Sequence, residues 1–100
     1  MKKKNFTFKT DEGKEVQVIF RKPQKNFYGK NCDGYCIDPH AESPKIYINP
    51  HRTNQTQLNT IVHEFAHAFF WDTPEYKVKK FGDALSRFLY NEEKWRKEKD

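Results

Sequence analysis

Long apolar runs are missing from this chain. Nowhere do 18 consecutive apolar residues occur, the length a helix needs to cross a bilayer, and Met1-Lys2-Lys3-Lys4 leads into Asn5-Phe6-Thr7-Phe8-Lys9 with no apolar signal region behind it. No membrane partner is expected, and the expected compartment is the cytoplasm. Cysteine is scarce as well, at two residues, Cys32 and Cys36. In a reducing cytoplasm such a pair is expected as two free thiols, at least one buried beside an aromatic, ahead of a labile disulfide or a metal clip. Adding His40 and His51 gives C-x3-C-x3-H-x10-H, which is not an attested zinc spacing. The chain is also short: one hundred residues read as a single domain with a modest core and no room for a second. Internal repeats and low-complexity segments are absent too. What the chain has in quantity is aromatic side chains, 16%, and positive charge, formally +5 net. The interior is expected to rest on Phe, Tyr and Trp beneath a strongly charged exterior.

The first half follows a period of two. Phe6-Thr7-Phe8-Lys9 and Val16-Gln17-Val18-Ile19-Phe20 alternate as half-buried strands do, and Asp11-Glu12-Gly13-Lys14 supplies turn chemistry for a hairpin between them. A second pair, Tyr35-Cys36-Ile37-Asp38 and Lys45-Ile46-Tyr47-Ile48-Asn49, flanks a loop bounded by Pro39 and Pro44 that could join antiparallel strands. Helical periodicity follows, so the expected class is α+β: a small antiparallel sheet of N-terminal hairpins packed on a helical pair. Residues 1–50 are read as mainly strands, 54–71 as a first helix, 74–92 as a second helix and 93–100 as a polar tail.

Within the first helix stands His63-Glu64-Phe65-Ala66-His67. Positions four apart differ by about 40° around a helix axis, so both imidazoles can reach one ion. Glu64 points elsewhere on the cylinder, yet it can lean over the metal and take a proton from zinc-bound water, which makes it the candidate catalytic base. The apolar residues Leu58, Ile61, Val62, Phe65 and Phe69 form a one-sided stripe, with the two histidines about 140° and 180° away from Leu58. One face is expected in the core and the other toward a cleft. Thr53, Asn54 or Thr56 can serve as N-cap, and Trp71-Asp72-Thr73-Pro74 ends the helix.

Catalytic zinc usually takes three protein ligands and leaves a position for water. Thr73-Pro74-Glu75 reads as a second helix start, with Thr73 as N-cap and Pro74 at the first helical position. Glu75 sits at the edge of the face carrying Val78, Phe81, Leu85, Phe88 and Leu89, in line with Gly82, a residue that lets helices approach closely. Glu75 is the expected third ligand, with Asp72 and then Asp83 as alternatives. Tyr47, His51 and Tyr76 are candidate donors to a developing oxyanion. The strand Lys45 to Asn49 is either an exposed edge that could hold an extended substrate, or a strand paired on both sides.

The stretch Leu58 to Leu89 resembles the H-E-x-x-H core of small bacterial and phage zinc peptidases, similar to the ImmA/IrrE-like and SprT-like families. In the ImmA/IrrE-like family a zinc-binding Glu opens a following helix in a pattern of the type E-x-x-A-x-x-F-A, and Glu75 to Gly82 is a loose match. Two departures stand out. Only seven residues separate His67 from Glu75, and Phe70 and Thr73 occupy the places where a metzincin would need Gly and a third His. The resemblance implies a gluzincin-like peptidase with one Zn²⁺, acting on a peptide or protein in a bacterial or phage-infected cell. The other class carried forward is a non-catalytic, metal-stabilised binding module. Nucleic acid is at most an accessory partner: the lysines and arginines are scattered, and the last cluster, Lys94 to Lys99, is interleaved with acids in the manner of a solvated face.

Overall fold

Alternating apolar and polar residues build the first half of the chain into strands. The computed structural model, which describes residues 6–21 and 33–96, has four of them. β1 (Phe6–Lys9) and β2 (Glu15–Phe20) form an antiparallel hairpin with Phe6 opposite Val18 and Lys9 opposite Glu15. The Gly13 amide donates to the Thr10 carbonyl and the Thr10 amide to the Lys14 carbonyl, both at 2.9 Å. Gly13 has φ +80°, a left-handed conformation that a side chain resists, so the turn read from Asp11 to Lys14 is present and needs its glycine.

β3 (Gly34–Cys36) and β4 (Lys45–Ile48) make a second antiparallel pair, and the sheet order is β1-β2-β4-β3. β2 and β4 run parallel, with Val18 opposite Ile46 and Phe20 opposite Ile48. The α+β class therefore holds, while the wholly antiparallel sheet is corrected to a mixed one. The physical reason is burial: Ile46, Tyr47 and Ile48 are all buried, and a strand apolar on both faces belongs in the middle of a sheet. Lys45 to Asn49 is accordingly the strand paired on both sides. Among the described residues β3 is the outer strand at that end.

α1 (Asn54–Phe69) starts at Thr53, whose Oγ1 accepts the Thr56 amide at 3.2 Å. Its Ala68 joins Val16, Val18, Cys36, Ile46 and Ile48 in the core, and Ile61 and Phe65 pack against that cluster in part. The helix is turned from the expected orientation. Leu58 and Val62 are only half-buried and Phe69 is exposed, whereas Gln57, Thr60 and Glu64 are buried against the sheet. The two neutral polar residues are satisfied there: Gln57 Nε2 donates to the Asn49 carbonyl and Thr60 Oγ1 to the Thr56 carbonyl, each at 2.9 Å.

α2 (Glu75–Arg87) packs on α1 and is followed by a π-helical turn, Phe88–Glu92. Thr73 does not cap it, a second correction. Pro74 occupies that position, its carbonyl accepts the Lys77 and Val78 amides, and the Thr73 amide closes back onto the Phe70 carbonyl. Gly82 is buried against α1, where an added Cβ would stand 3.7 Å from Asn59 Oδ1 and from the His63 Cα and Cβ. That is ordinary van der Waals contact. Gly82→Ala is therefore expected to stabilise the chain by about 0.5–1 kcal/mol through helix propensity, read from urea unfolding, whereas Gly82→Leu should pry the helices apart. A loss of stability with alanine would contradict the packing described.

Among the described residues no helix is long and apolar enough to cross a membrane. The loop between β3 and β4 is tied to the β1–β2 turn by His40, whose Nδ1 lies 3.0 Å from Asp38 and whose Nε2 lies 3.0 Å from Glu12. Hydrogen bonding to Asp38, then to Glu12, lifts the imidazole above its ordinary value of 6.5. A histidine raised in the folded state contributes stability that is full below the unfolded value and is lost as pH climbs through the folded one. By NMR, His40 should titrate above 6.5, and Glu12→Gln should lower its midpoint. An unchanged midpoint would show that the clasp does not form.

Candidate metal centre

The helical hairpin brings the charged ends of two short polar stripes together. His63 and His67 lie one turn apart on α1, and Glu75 opens α2 after a tight connection through Thr73 and Pro74. Their donor atoms converge. The two Nε2 atoms are 3.0 Å apart, Glu75 Oε2 is 3.1 Å from His63 Nε2, and Glu75 Oε1 is 2.8 Å from His67 Nε2. Among the described residues this is the one group of three or more His, Cys, Asp or Glu that could hold a metal ion.

The donor set fits a small divalent cation. Bonds of about 2.0–2.1 Å in tetrahedral geometry place donors roughly 3.3 Å apart, close to the triangle formed here. Burial, the largest influence, lowers the His63 imidazole below 6.5, with the Glu75 charge opposing it and His67 adding to the lowering. Ligation requires a neutral imidazole, so this direction favours it. The triangle borders solvent at Glu75, whose side chain is 65% exposed. Trp71 stands edge-on to His67 with ring centroids 6.4 Å apart, flanking the site.

Glu64 lies beside the cluster without belonging to it. Its side chain is buried, and burial, followed by the charge of Glu75, pushes its carboxyl up to about 8. It rests against β3: a Cβ added to Gly34 would stand 3.1 Å from Glu64 Cγ and Oε2 and 2.5 Å from Thr60 Cγ2. Gly34 is thus the residue that lets β3 close over the catalytic candidate. Sequence reasoning missed it, although an isolated glycine inside a strand is a signal of close backbone approach.

The alternatives for the third ligand fall away from the triangle. Asp83 accepts Asn59 Nδ2 at 2.9 Å and Lys79 Nζ at 3.4 Å, and these contacts, the Asn59 hydrogen bond first, hold its carboxyl below the usual range. Asp72 is exposed in the turn between the helices. Two of the three oxyanion candidates lie away from the triangle. Tyr47 alternates with Ile46 and Ile48, which face α1 in the core, so its ring lies on the opposite face of the sheet, beneath Arg21. His51 is exposed ahead of the N-terminus of α1, and the ten residues from Asn54 to His63 alone span about 13 Å. Tyr76 remains next to Glu75 and is exposed. Cys36 is a buried free thiol, pushed up to about 12 by burial and by the charge of Glu64, while Cys32 lies outside the described residues. His40 is engaged by Asp38 and Glu12.

Residues 12–91 match the model of the peptidase family described as the IrrE N-terminal-like domain. No curated protein and no solved structure matches the chain.

Proposed function

The chain belongs to the IrrE N-terminal-like domain family, and from that premise and the convergence of His63, His67 and Glu75 we propose that it is a zinc-dependent peptidase. Family membership supports a metallopeptidase-like or related regulatory domain. The observation that carries the catalytic reading is three converging donors at the solvent boundary with a buried carboxylate beside them, whereas a structural zinc site is closed by four ligands. A bound Zn²⁺ supplies a Lewis acid and brings the pKa of water down to about 7. Glu64 accepts the proton of the attacking water at its carboxylate and returns it to the departing amine nitrogen. His63 and His67 contribute neutral nitrogen donors, and Glu75 the third donor from the facing helix.

The test is zinc titration of chelator-treated protein, followed by mass spectrometry of a peptide mixture. Zinc should restore cleavage, and a hydroxamate should block it. Glu75→Gln should weaken zinc binding by more than the ~100-fold that removal of an outer hydrogen-bonding partner can cost, with helix content unchanged because the side chain is largely exposed. Cleavage that survives chelation, or wild-type zinc affinity in the Glu75 variant, would refute the proposal.

A further inference from the structure

The apolar stripes of the two helices are left half-covered. Phe81 is 50% exposed, Leu85 36% and Phe88 51%, and α1 contributes Phe69 at 36% and Phe70 at 58%. Ile61, Phe65, Phe69, Phe81 and Leu85 line a trough of about 320 Å³ along the outer seam of the hairpin. Phe8 of β1 stacks on two of these lining residues, Phe65 and Phe69, with centroids 4.5 and 5.6 Å away. The trough therefore opens on the β1 side of the helices, whereas Glu64 and the metal centre lie on the β3 side.

Charge around the trough has one sign along α2. Both acids of that helix reach to α1, Glu75 to the histidines and Asp83 to Asn59. Lys77, Lys80 and Arg87 are exposed, and Lys77 and Lys80 fall about 40° and 100° from Phe81 around the axis, on its solvent side. We propose that this trough docks an acidic amphipathic helix from a partner protein. From Ile61 to Phe69 it runs about 12 Å, a little over two helical turns, which suits apolar anchors at i, i+3 or i+4, and i+7. Acidic residues flanking those anchors would face Lys77 and Lys80.

A second copy of this chain suits the surface less well. A two-fold interface would set Lys77, Lys80 and Arg87 of each protomer against the same residues of the other. The exposed portions of the five apolar side chains total roughly 400 Å², half of the ~800 Å² per partner in a standard stable interface. The proposal goes beyond peptide hydrolysis and does not depend on it.

Fluorescence anisotropy of a labelled synthetic peptide of about 16 residues, with leucines in a helical stripe and glutamates elsewhere, tests it against the same peptide carrying lysine for glutamate. The glutamate peptide should bind, with affinity falling as salt rises. Phe81→Glu should lower that affinity about 10-fold or more, as removal of an anchor pocket does, and Lys80→Glu should lower it and flatten the salt dependence. Both positions are exposed, and unchanged zinc binding in each variant would show that the fold and the metal centre are intact. Equal binding of the lysine peptide would overturn the proposal. So would binding to phosphatidylglycerol vesicles without binding to the glutamate peptide, or a concentration-dependent dimer abolished by Phe81→Glu.

Discussion

Glu64→Gln is expected to keep the zinc and lose the reaction. The carboxamide preserves the volume of a buried side chain and touches none of the three converging donors, so metal affinity should stay at the wild-type value. General-base catalysis contributes about 10²–10⁴ in rate, and turnover should fall by that factor. Stability moves the other way. In zinc-free protein the environment pushes the Glu64 carboxyl up to about 8, from an ordinary 4.5, so the folded chain binds more protons than the unfolded one between those values. Stability then declines across that window as pH rises, and glutamine, which stays neutral, escapes the decline. Thermal unfolding at pH 8–9 with chelator should show the variant above the wild type. A variant with wild-type turnover would remove Glu64 from the mechanism, and one with lost zinc would move it among the ligands.

Gly34→Ala should damage both fold and site. Real Cβ atoms do not approach another heavy atom at the 2.5 Å found between this position and Thr60 Cγ2. Thr60 cannot simply rotate away, because its Oγ1 holds the Thr56 carbonyl at 2.9 Å. β3 must therefore shift from α1, at the ~1–3 kcal/mol typical of overpacking, and Glu64, 3.1 Å from the same point, must shift with it. Turnover should fall while zinc affinity changes little. Thr60→Ser removes the offending methyl and keeps the hydroxyl, so the pair Gly34→Ala with Thr60→Ser should recover most of the stability in a double-mutant cycle. An alanine variant as stable as the wild type would show that β3 does not lie this close.

The convergence of His63, His67 and Glu75 was legible because its geometry is local. Residues 63 and 67 face one way on any helix, and Thr73-Pro74-Glu75 announces a second helix start, which is enough to set a carboxylate opposite the histidines once the connection is short. Strand existence was legible for the same reason, from alternation and turn chemistry. Strand order was not: β4 enters between β2 and β3 through pairing of Val18 with Ile46, and nothing near either residue encodes that meeting. Periodicity also misled about burial. The stripe Leu58, Ile61, Val62, Phe65, Phe69 marks one apolar side of α1 correctly, but a pattern states which side is apolar and not what covers it. The sheet took the neighbouring side, where Gln57 and Thr60 find partners and the small Ala68 allows close packing.

The parallel seam between β2 and β4 also bears on how the chain reaches its shape. β1 with β2, β3 with β4, and α1 with α2 are each joined to a neighbour in sequence, so three hairpins can nucleate early and separately. The pairing of Gln17 with Lys45 has no such shortcut. Closing that long loop brings entropy loss before any reward, which makes the joining of two preformed halves the slow event in folding and the seam, rather than any turn, the region where a substitution would most retard it.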